Sequence, residues 1–276
     1  MTVAIDPARR SRNAMNPKSF PGVAFIAVFS LVFLYVPMLI TVIYAFNAGD
    51  QALVWEGFSL QWFVYVMTNH AIIDATVVSV KLATAATVIA VVIALGFVLS
   101  VQELRRRGSA LATGLLTAPL LVPEVVMAVA TLAFIRFIGL QPGFTALLLA
   151  HATFCIPFAM MPIRSRLQGL GTEVFEAGAD LGATTLPMLR RITVPLLVPG
   201  IISGALLSFV ISMDDYIISA FLSSAGSTPL PVYLFGLIRR GANPAINVVA
   251  LLLLALAIAV TTVTYLAPTR KKRTAR

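Results

Sequence analysis

Three carboxylates stand inside long apolar runs of this chain: Glu124, and the adjacent pair Asp214 and Asp215. A charge held within a membrane is costly unless it is paired or faces water, so residues of this kind are functional candidates by default. Carboxylates at such depth can replace the water shell of a cation. Aromatic faces can add cation–π attraction, and Phe154 and Tyr216 are the aromatic candidates. Each group also has an internal reading. Lys81, on another apolar run, could pair with Asp214 or Asp215 and hold the helices together, and the two rings could simply pack. If Asp214 and Asp215 share one helix they point about 100° apart, so one faces a path while the other caps or pairs. His151 lies at similar depth and is expected to be a hydrogen-bonded structural residue, since no second histidine is near enough in sequence to suggest a metal site. Neither H-E-x-x-H nor G-x-S-x-G occurs, which argues against an intramembrane enzyme.

The elements that must position these groups are transmembrane helices. The chain is 59% hydrophobic and 11% charged, against roughly 25% charged residues in soluble domains, and its mean hydropathy is +0.95. A spanning helix needs about 20 apolar residues. Six stretches qualify, at 22–46, 74–100, 110–138, 144–162, 196–222 and 246–267, so the expected fold is all-α with six transmembrane helices in one unit over 1–276. Glu124 falls about 14 residues from either end of the third stretch, near mid-bilayer, and the aspartates lie about 12 Å below the outer end of the fifth. Pro119 and Pro123 precede Glu124, and Pro157 and Pro162 come late in the fourth stretch. Each removes a backbone hydrogen bond and bends its helix. Such bends either line a cavity or serve packing.

Charge asymmetry gives the orientation. Of the 20 basic residues, 16 lie before the first stretch (Arg9, Arg10, Arg12, Lys18), in the 2–3 and 4–5 loops (Arg105 to Arg107; Arg164, Arg166, Arg190, Arg191) or in the tail (Arg270, Lys271, Lys272, Arg273, Arg276). The positive-inside rule then puts both termini in the cytoplasm. The net charge of +9 reflects this asymmetry and attraction to lipid head groups rather than nucleic acid, because the basic residues flank spans. The apolar run after residue 21 exceeds a signal-peptide core, so it is expected to stay as an anchor. Cys155 is the single cysteine, which excludes an intrachain disulfide. Trp55, Phe58, Trp62, Phe63 and Tyr65 predict a short interfacial helix over 59–69, or plain anchoring at the outer membrane surface.

The 4–5 loop contains EAGADLGATTLPMLRRITVP at 176–195. Thr172 suits a helix N-cap, with Glu173 and Glu176 in the first turn where the helix dipole favours anions. Phe175 and Ala179 share a face, Gly182 suits a left-handed cap, and Thr184 or Thr185 suits the cap of a second helix with Pro187 in its first turn. Pro195 is expected to mark the start of span 5.

This loop resembles the coupling loop of bacterial ABC importer permeases, with Glu176, Ala177, Gly178, then Gly182, then Ile192-Thr193-Val194-Pro195 at the family's spacings. Gly178 stands for the usual second Ala and Val194 for Leu. The glycine costs roughly 1 kcal/mol of helix stability relative to Ala, and could allow closer packing against an ATPase. The resemblance implies a type I importer fold and a loop, carried by Glu176, Ala177, Gly178, Asp180 and Gly182, that docks on an ATPase subunit. No G-x-x-x-x-G-K-[ST] occurs here, so the ATPase is expected on a separate chain, holding the ATP and Mg, with no cofactor bound by this one.

Four further segments resemble the permeases of spermidine/putrescine importers: VPEVVMAVATL (122–132), HATFCIPF (151–158), SFVISMDDYIISAFLS (208–223) and TPLPVYLFGLIRRGANPAIN (228–247). That resemblance implies a polyamine cargo, a second permease (a paralogue), an ATPase dimer and a periplasmic binding protein. Arg239 and Arg240, on an outer loop, either meet that protein's acidic surface or are plain solvated charge. Close relatives often carry an acid in the N-P-x-I-N segment where this chain has Ala245. With Lys81 near the acids, that keeps a small zwitterion as the alternative cargo. A secondary transporter is the rival class, but it commonly shows internal repeats and needs no such loop.

Overall fold

Each of the six apolar stretches is helical, but two of them are broken where a carboxylate sits. The computed structural model describes residues 22–101, 106–241 and 243–266. The basic N-terminal segment, Arg105 and the basic tail lie outside the described residues. The helices are α1 (Val23–Tyr44), α2 (Gln61–Thr68), α3 (His70–Val101), α4 (Arg106–Thr117), α5 (Glu124–Phe137), α6 (Phe144–Gln168), α7 (Glu173–Asp180), α8 (Thr185–Met188), α9 (Val194–Asp214), α10 (Ile217–Leu222), α11 (Leu230–Arg239) and α12 (Ala245–Leu266). Among the described residues there is no strand, only an isolated bridge between Asn47 and Phe58. Four helical segments are long and apolar enough to cross a membrane, and α4 with α5 makes a fifth as a bent pair. The 22-residue α12 covers the sixth stretch.

The described residues divide into two compact units, 22–66 with 243–266, and 67–241. In the first, α1 packs on α12. Buried Asn47 organises the loop after α1: its amide donates to the carbonyls of Gln51 and Val54, and its Oδ1 accepts from the Gly49 and Glu56 amides. Phe46 stacks on Phe58 and Phe63, and the Trp62 indole donates to the Gly49 carbonyl at 3.0 Å. The expected short helix is α2.

The second unit is built on α3, α6 and α9. Their shared core includes Ala90, Ala94, Cys155, Ala159, Ile163 and Leu197, all completely buried. Small residues let α6 and α9 touch backbone to backbone. Gly200, Gly204, Ser208 and Ser212 recur every four residues and so share one face of α9. A Cβ at Gly204 would stand 2.5 Å from the Ala159 carbonyl oxygen, and one at Gly200 would stand 3.0 Å from that of Pro162. Between them the Ser208 hydroxyl donates to the Cys155 carbonyl at 3.3 Å, and the Cys155 thiol donates to the Ser208 carbonyl at 3.5 Å.

Two expectations need correction, and a third holds only in part. The third stretch is not one helix: a 3-10 turn at Ala118–Leu120 and an extended Pro123 (φ −54, ψ 134) turn the axis by 100° between α4 and α5. Pro119 and Pro123 each lack the amide hydrogen a continuing helix would use, so Glu124 begins α5 rather than lying in mid-helix. The fifth stretch breaks at Asp215, whose ψ of 116 is extended, so Asp214 and Asp215 do not share one helix. Pro195 falls in the first turn of α9 as expected, but the chain is already helical before it. Residues Thr185–Asp214 form one 30-residue span through a π-helical turn at Leu189–Thr193, about 45 Å long.

Candidate functional site

The two helix breaks meet. α10 packs against α5, which brings the carboxyl groups of Glu124 and Asp215 close enough to interact. Glu124 occupies the first turn of α5, where the unpaired amides and the helix dipole favour a negative group. Asp215 caps α10 by accepting from the amides of Ile218 (3.3 Å) and Ser219 (2.9 Å). A carboxylate cap satisfies orphan donors that a buried helix start would otherwise leave unpaired.

His151 holds Asp215 from the α6 side. Its Nε2 is 3.2 Å from Asp215 Oδ2 and 3.1 Å from Ser219 Oγ, while its Nδ1 is 2.8 Å from Ser212 Oγ. Both ring nitrogens are thus occupied inside the protein, as expected for a structural histidine. The partner of Asp215 is His151, not Lys81. Asp215 is buried, Glu124 is half-buried and Asp214, the last residue of α9, is exposed. Of the adjacent aspartates, one therefore caps and pairs while the other is free to meet a ligand. Ser212 and Ser219 were not among the expected site residues. The signal for Ser212 was present in the four-residue spacing of small residues along α9.

The aromatic candidates fall on either side. Tyr216 is tilted against Phe235 of α11 at 4.5 Å, and the Arg239 guanidinium lies 4.8 Å from the Phe235 ring centre. Phe154 packs edge-on against Phe158 at 5.5 Å and, with Met127, Phe134 and Ile218, lines an apolar groove of about 410 Å³. Lys81 is elsewhere. It is exposed on α3 and shares a second groove of about 410 Å³ with Asp74, Thr228 and Tyr233, and it makes no ion pair among the described residues. Ala245 begins α12 and is completely buried, so an acid at that position would have to be buried too.

The loop between α6 and α9 forms as its sequence predicts in backbone terms. The Thr172 carbonyl accepts from the amides of Phe175 (2.9 Å) and Glu176 (3.0 Å), which starts α7. Gly182 adopts φ +75, a left-handed conformation, and the Ala183 amide closes back on the Gly178 carbonyl at 3.0 Å. Thr184 is the N-cap of α8 through its extended backbone, with no side-chain bond. Gly178 is buried against the loop itself: a Cβ there would meet Met188 Cε at 2.6 Å and Ile192 Cδ1 at 3.1 Å. The close approach is therefore internal, between α7 and the helix that follows. Phe175 packs on the α3–α6–α9 core, as do Leu99 and Leu170. Glu176, Ala177 and Asp180 remain exposed, and Leu181 and Leu186 are 89% and 71% exposed.

Residues 86–272 match the family described as binding-protein-dependent transport system inner membrane component. The spermidine/putrescine transport system permease protein PotC of Haemophilus influenzae is 37% identical over 227 residues, covering 82% of this chain and 88% of the relative. The putrescine transport system permease protein PotI of Escherichia coli K12 is 39% identical, covering 83% and 84%. Among solved structures, a bacterial ABC transporter involved in the import of the acidic polysaccharide alginate superposes with a TM-score of 0.64 at 16% identity, over 96% of this chain and 98% of that one. An amino acid ABC transporter crystallised with histidines gives a TM-score of 0.58 at 19% identity, over 74% and 96%. With its all-helical spans and its glycine-capped cytoplasmic-type loop, this chain belongs to the binding-protein-dependent transport system inner membrane component family and is a permease subunit of an ABC importer.

Proposed function

We propose that this subunit passes polyamines of the putrescine and spermidine class across the inner membrane, driven by ATP hydrolysis on a separate chain. The observation that carries this reading is the meeting of Glu124 and Asp215 at two helix breaks, with exposed Asp214 beside them. A cation-carrying path needs carboxylates where the backbone is broken and a cavity can open. The relatives named for spermidine and putrescine agree with that chemistry. Glu124 and Asp214 contact the cation. Asp215, held by His151 and its cap, positions Glu124. Tyr216 and Phe154 contribute ring faces.

Both termini face the cytoplasm on the positive-inside reading, so the α7–α8 loop is cytoplasmic. Exposed Glu176, Ala177, Asp180, Leu181 and Leu186 offer a mixed apolar and acidic face to an ATPase dimer, which holds the ATP and Mg. Because α8 runs without a gap into α9, a displacement of the loop moves a rod whose far end is Asp214. A second permease completes the channel, and a periplasmic binding protein docks near Arg239 and Arg240. This whole subunit is one transmembrane unit, and secondary transport without an ATPase is the rival its coupling loop disfavours.

A second reading, a small zwitterion, is favoured by one observation: Lys81 and Asp74 share a groove with opposite charges and no mutual ion pair. Reconstituted transport separates the two. Glu124→Gln should raise the concentration of polyamine needed for half-maximal uptake. Unchanged uptake with Lys81→Gln abolishing it would favour the zwitterion.

A further inference from the structure

The apolar groove between α5 and α6 adjoins the polar cluster on all three of the helices that line it. Met127 lies three residues after Glu124 on α5, and Phe154 lies three after His151 on α6. Residues at that spacing are neighbours on a helix surface. Ile218 of α10 also lines the groove, and its amide donates to Asp215 Oδ1 at 3.3 Å. α10 packs against both α5 and α6, and the groove floor is core, since Ile135, Ala150 and Ile218 are buried.

On α5 the relationship continues for a second turn. Glu124, Met127, Thr131 and Phe134 follow the three-four-three spacing of one helix face, and the last three line the groove. The face therefore runs from carboxylate to apolar wall to hydroxyl. Thr131 is seven residues from Glu124, about 10 Å along the helix. Thr153 lines the groove from α6 and donates its hydroxyl proton to the Leu149 carbonyl at 2.8 Å. That leaves its oxygen free to accept, and an ammonium group can only donate.

A lipid chain or a partner helix would cover the apolar walls but has no use for carboxylates at the end of them. An alkyl diamine uses both. One ammonium needs a carboxylate, the methylenes need an apolar wall, and the second ammonium needs acceptors about one spacer away.

We infer that this groove holds the methylene spacer of the cargo, with one ammonium at Glu124 and the other at Thr131 and Thr153, so that Met127 and Phe154 select for spacer length. The inference rests on the polyamine reading above. It adds that the path through the membrane itself measures hydrocarbon, independently of the binding protein.

The test uses the two permeases with the ATPase dimer in lipid nanodiscs, without the binding protein. Leu149→Cys places a thiol on the groove, at a position 48% exposed. Native Cys155 is buried and its thiol donates to the Ser208 carbonyl, so it should stay unlabelled. Labelling by N-ethylmaleimide is followed against rising trimethylenediamine, putrescine or cadaverine. The half-protecting concentration should fall about fourfold for each added methylene, the equivalent of ~0.8 kcal/mol per buried CH₂. Met127→Gln should flatten that trend to less than twofold. Ala130→Leu, which fills the groove from an exposed lining position, should make cadaverine the weakest of the three. Glu124→Gln should weaken all three diamines by one common factor and keep the trend.

Equal protection by the three diamines, or an unchanged trend in both Met127→Gln and Ala130→Leu, overturns the inference. Protection by n-butanol at the concentration of putrescine that protects would make the groove a plain apolar surface and overturn it too. High-yield cross-linking of Leu149→Cys to the second permease would mean that protein fills the groove, with the same consequence. Failure of every diamine to protect removes the groove from the path. Only loss of polyamine uptake as well removes the polyamine reading.

Discussion

His151 Nε2 lies 3.2 Å from Asp215 Oδ2, and this contact joins α6 to the break between α9 and α10. The same carboxylate caps α10, so one residue holds three helices at the place where Glu124 arrives from α5. Removing one member of a buried hydrogen-bonded pair typically costs about 3–5 kcal/mol when charge is left uncompensated, and losing a cap costs about 1 kcal/mol. Asp215→Ala should therefore lower the thermal midpoint of the purified complex clearly more than Asp214→Ala, whose side chain is exposed. Equal midpoints would show that Asp215 is not structural.

Glu124 should behave differently. It is half-buried at the start of α5, and its substitution leaves no helix uncapped by a side chain. Hydrogen bonds to charged groups contribute about 1.5–3 kcal/mol, or roughly 10- to 100-fold in affinity. Glu124→Gln should weaken apparent polyamine affinity by about that factor while the unfolding midpoint stays near wild type. A midpoint that falls as far as that of Asp215→Ala would make Glu124 a packing residue.

Two glycines give a matched contrast. At Gly204 an added Cβ meets backbone, the Ala159 carbonyl at 2.5 Å and its Cα at 3.2 Å. Neither can move without separating α6 from α9, and overpacking of this kind costs about 1–3 kcal/mol. At Gly178 the added Cβ meets the flexible end of Met188, which can rotate aside. Gly204→Ala should destabilise the complex, whereas Gly178→Ala should be near neutral and restore helix propensity. Thermal unfolding of both variants checks this directly.

Gly182 is the one position in the loop where backbone conformation demands glycine, with φ +75. A β-branched residue there is strained. Gly182→Val should uncouple the subunit: binding-protein-stimulated ATP hydrolysis and uptake fall together in a complex that still assembles. Retained uptake in that complex would remove the loop from the coupling route.

Much of this was legible in the sequence. Apolar length located the six stretches, and cap chemistry at Thr172, Gly182 and Thr184 located α7 and α8. The break at Pro123 was signalled by its proline, but neither its size, 100°, nor the packing of α10 on α5 beyond it is written in local sequence. The break at Asp215 had no such punctuation. It exists because a buried carboxylate accepts two amides of α10 and meets His151, a residue 64 positions earlier in the chain. Local propensity contains nothing about that pairing. Pro195 read as a boundary because proline suits a helix start, yet the π-turn at Leu189–Thr193 carries the helix through. Likewise Gly178 suggested room for a partner protein, and its partner is Met188 of the same loop.

Passage of cations past Glu124 and Asp214 under ATPase control is open to one direct measurement. ATP-dependent uptake should be measured in proteoliposomes holding the chain with its second permease, ATPase and binding protein, offered labelled putrescine, spermidine and γ-aminobutyrate in parallel. The account predicts uptake of a polyamine that needs ATP and drops with Glu124→Gln. Uptake of γ-aminobutyrate alone, unaffected by Glu124→Gln, would contradict it.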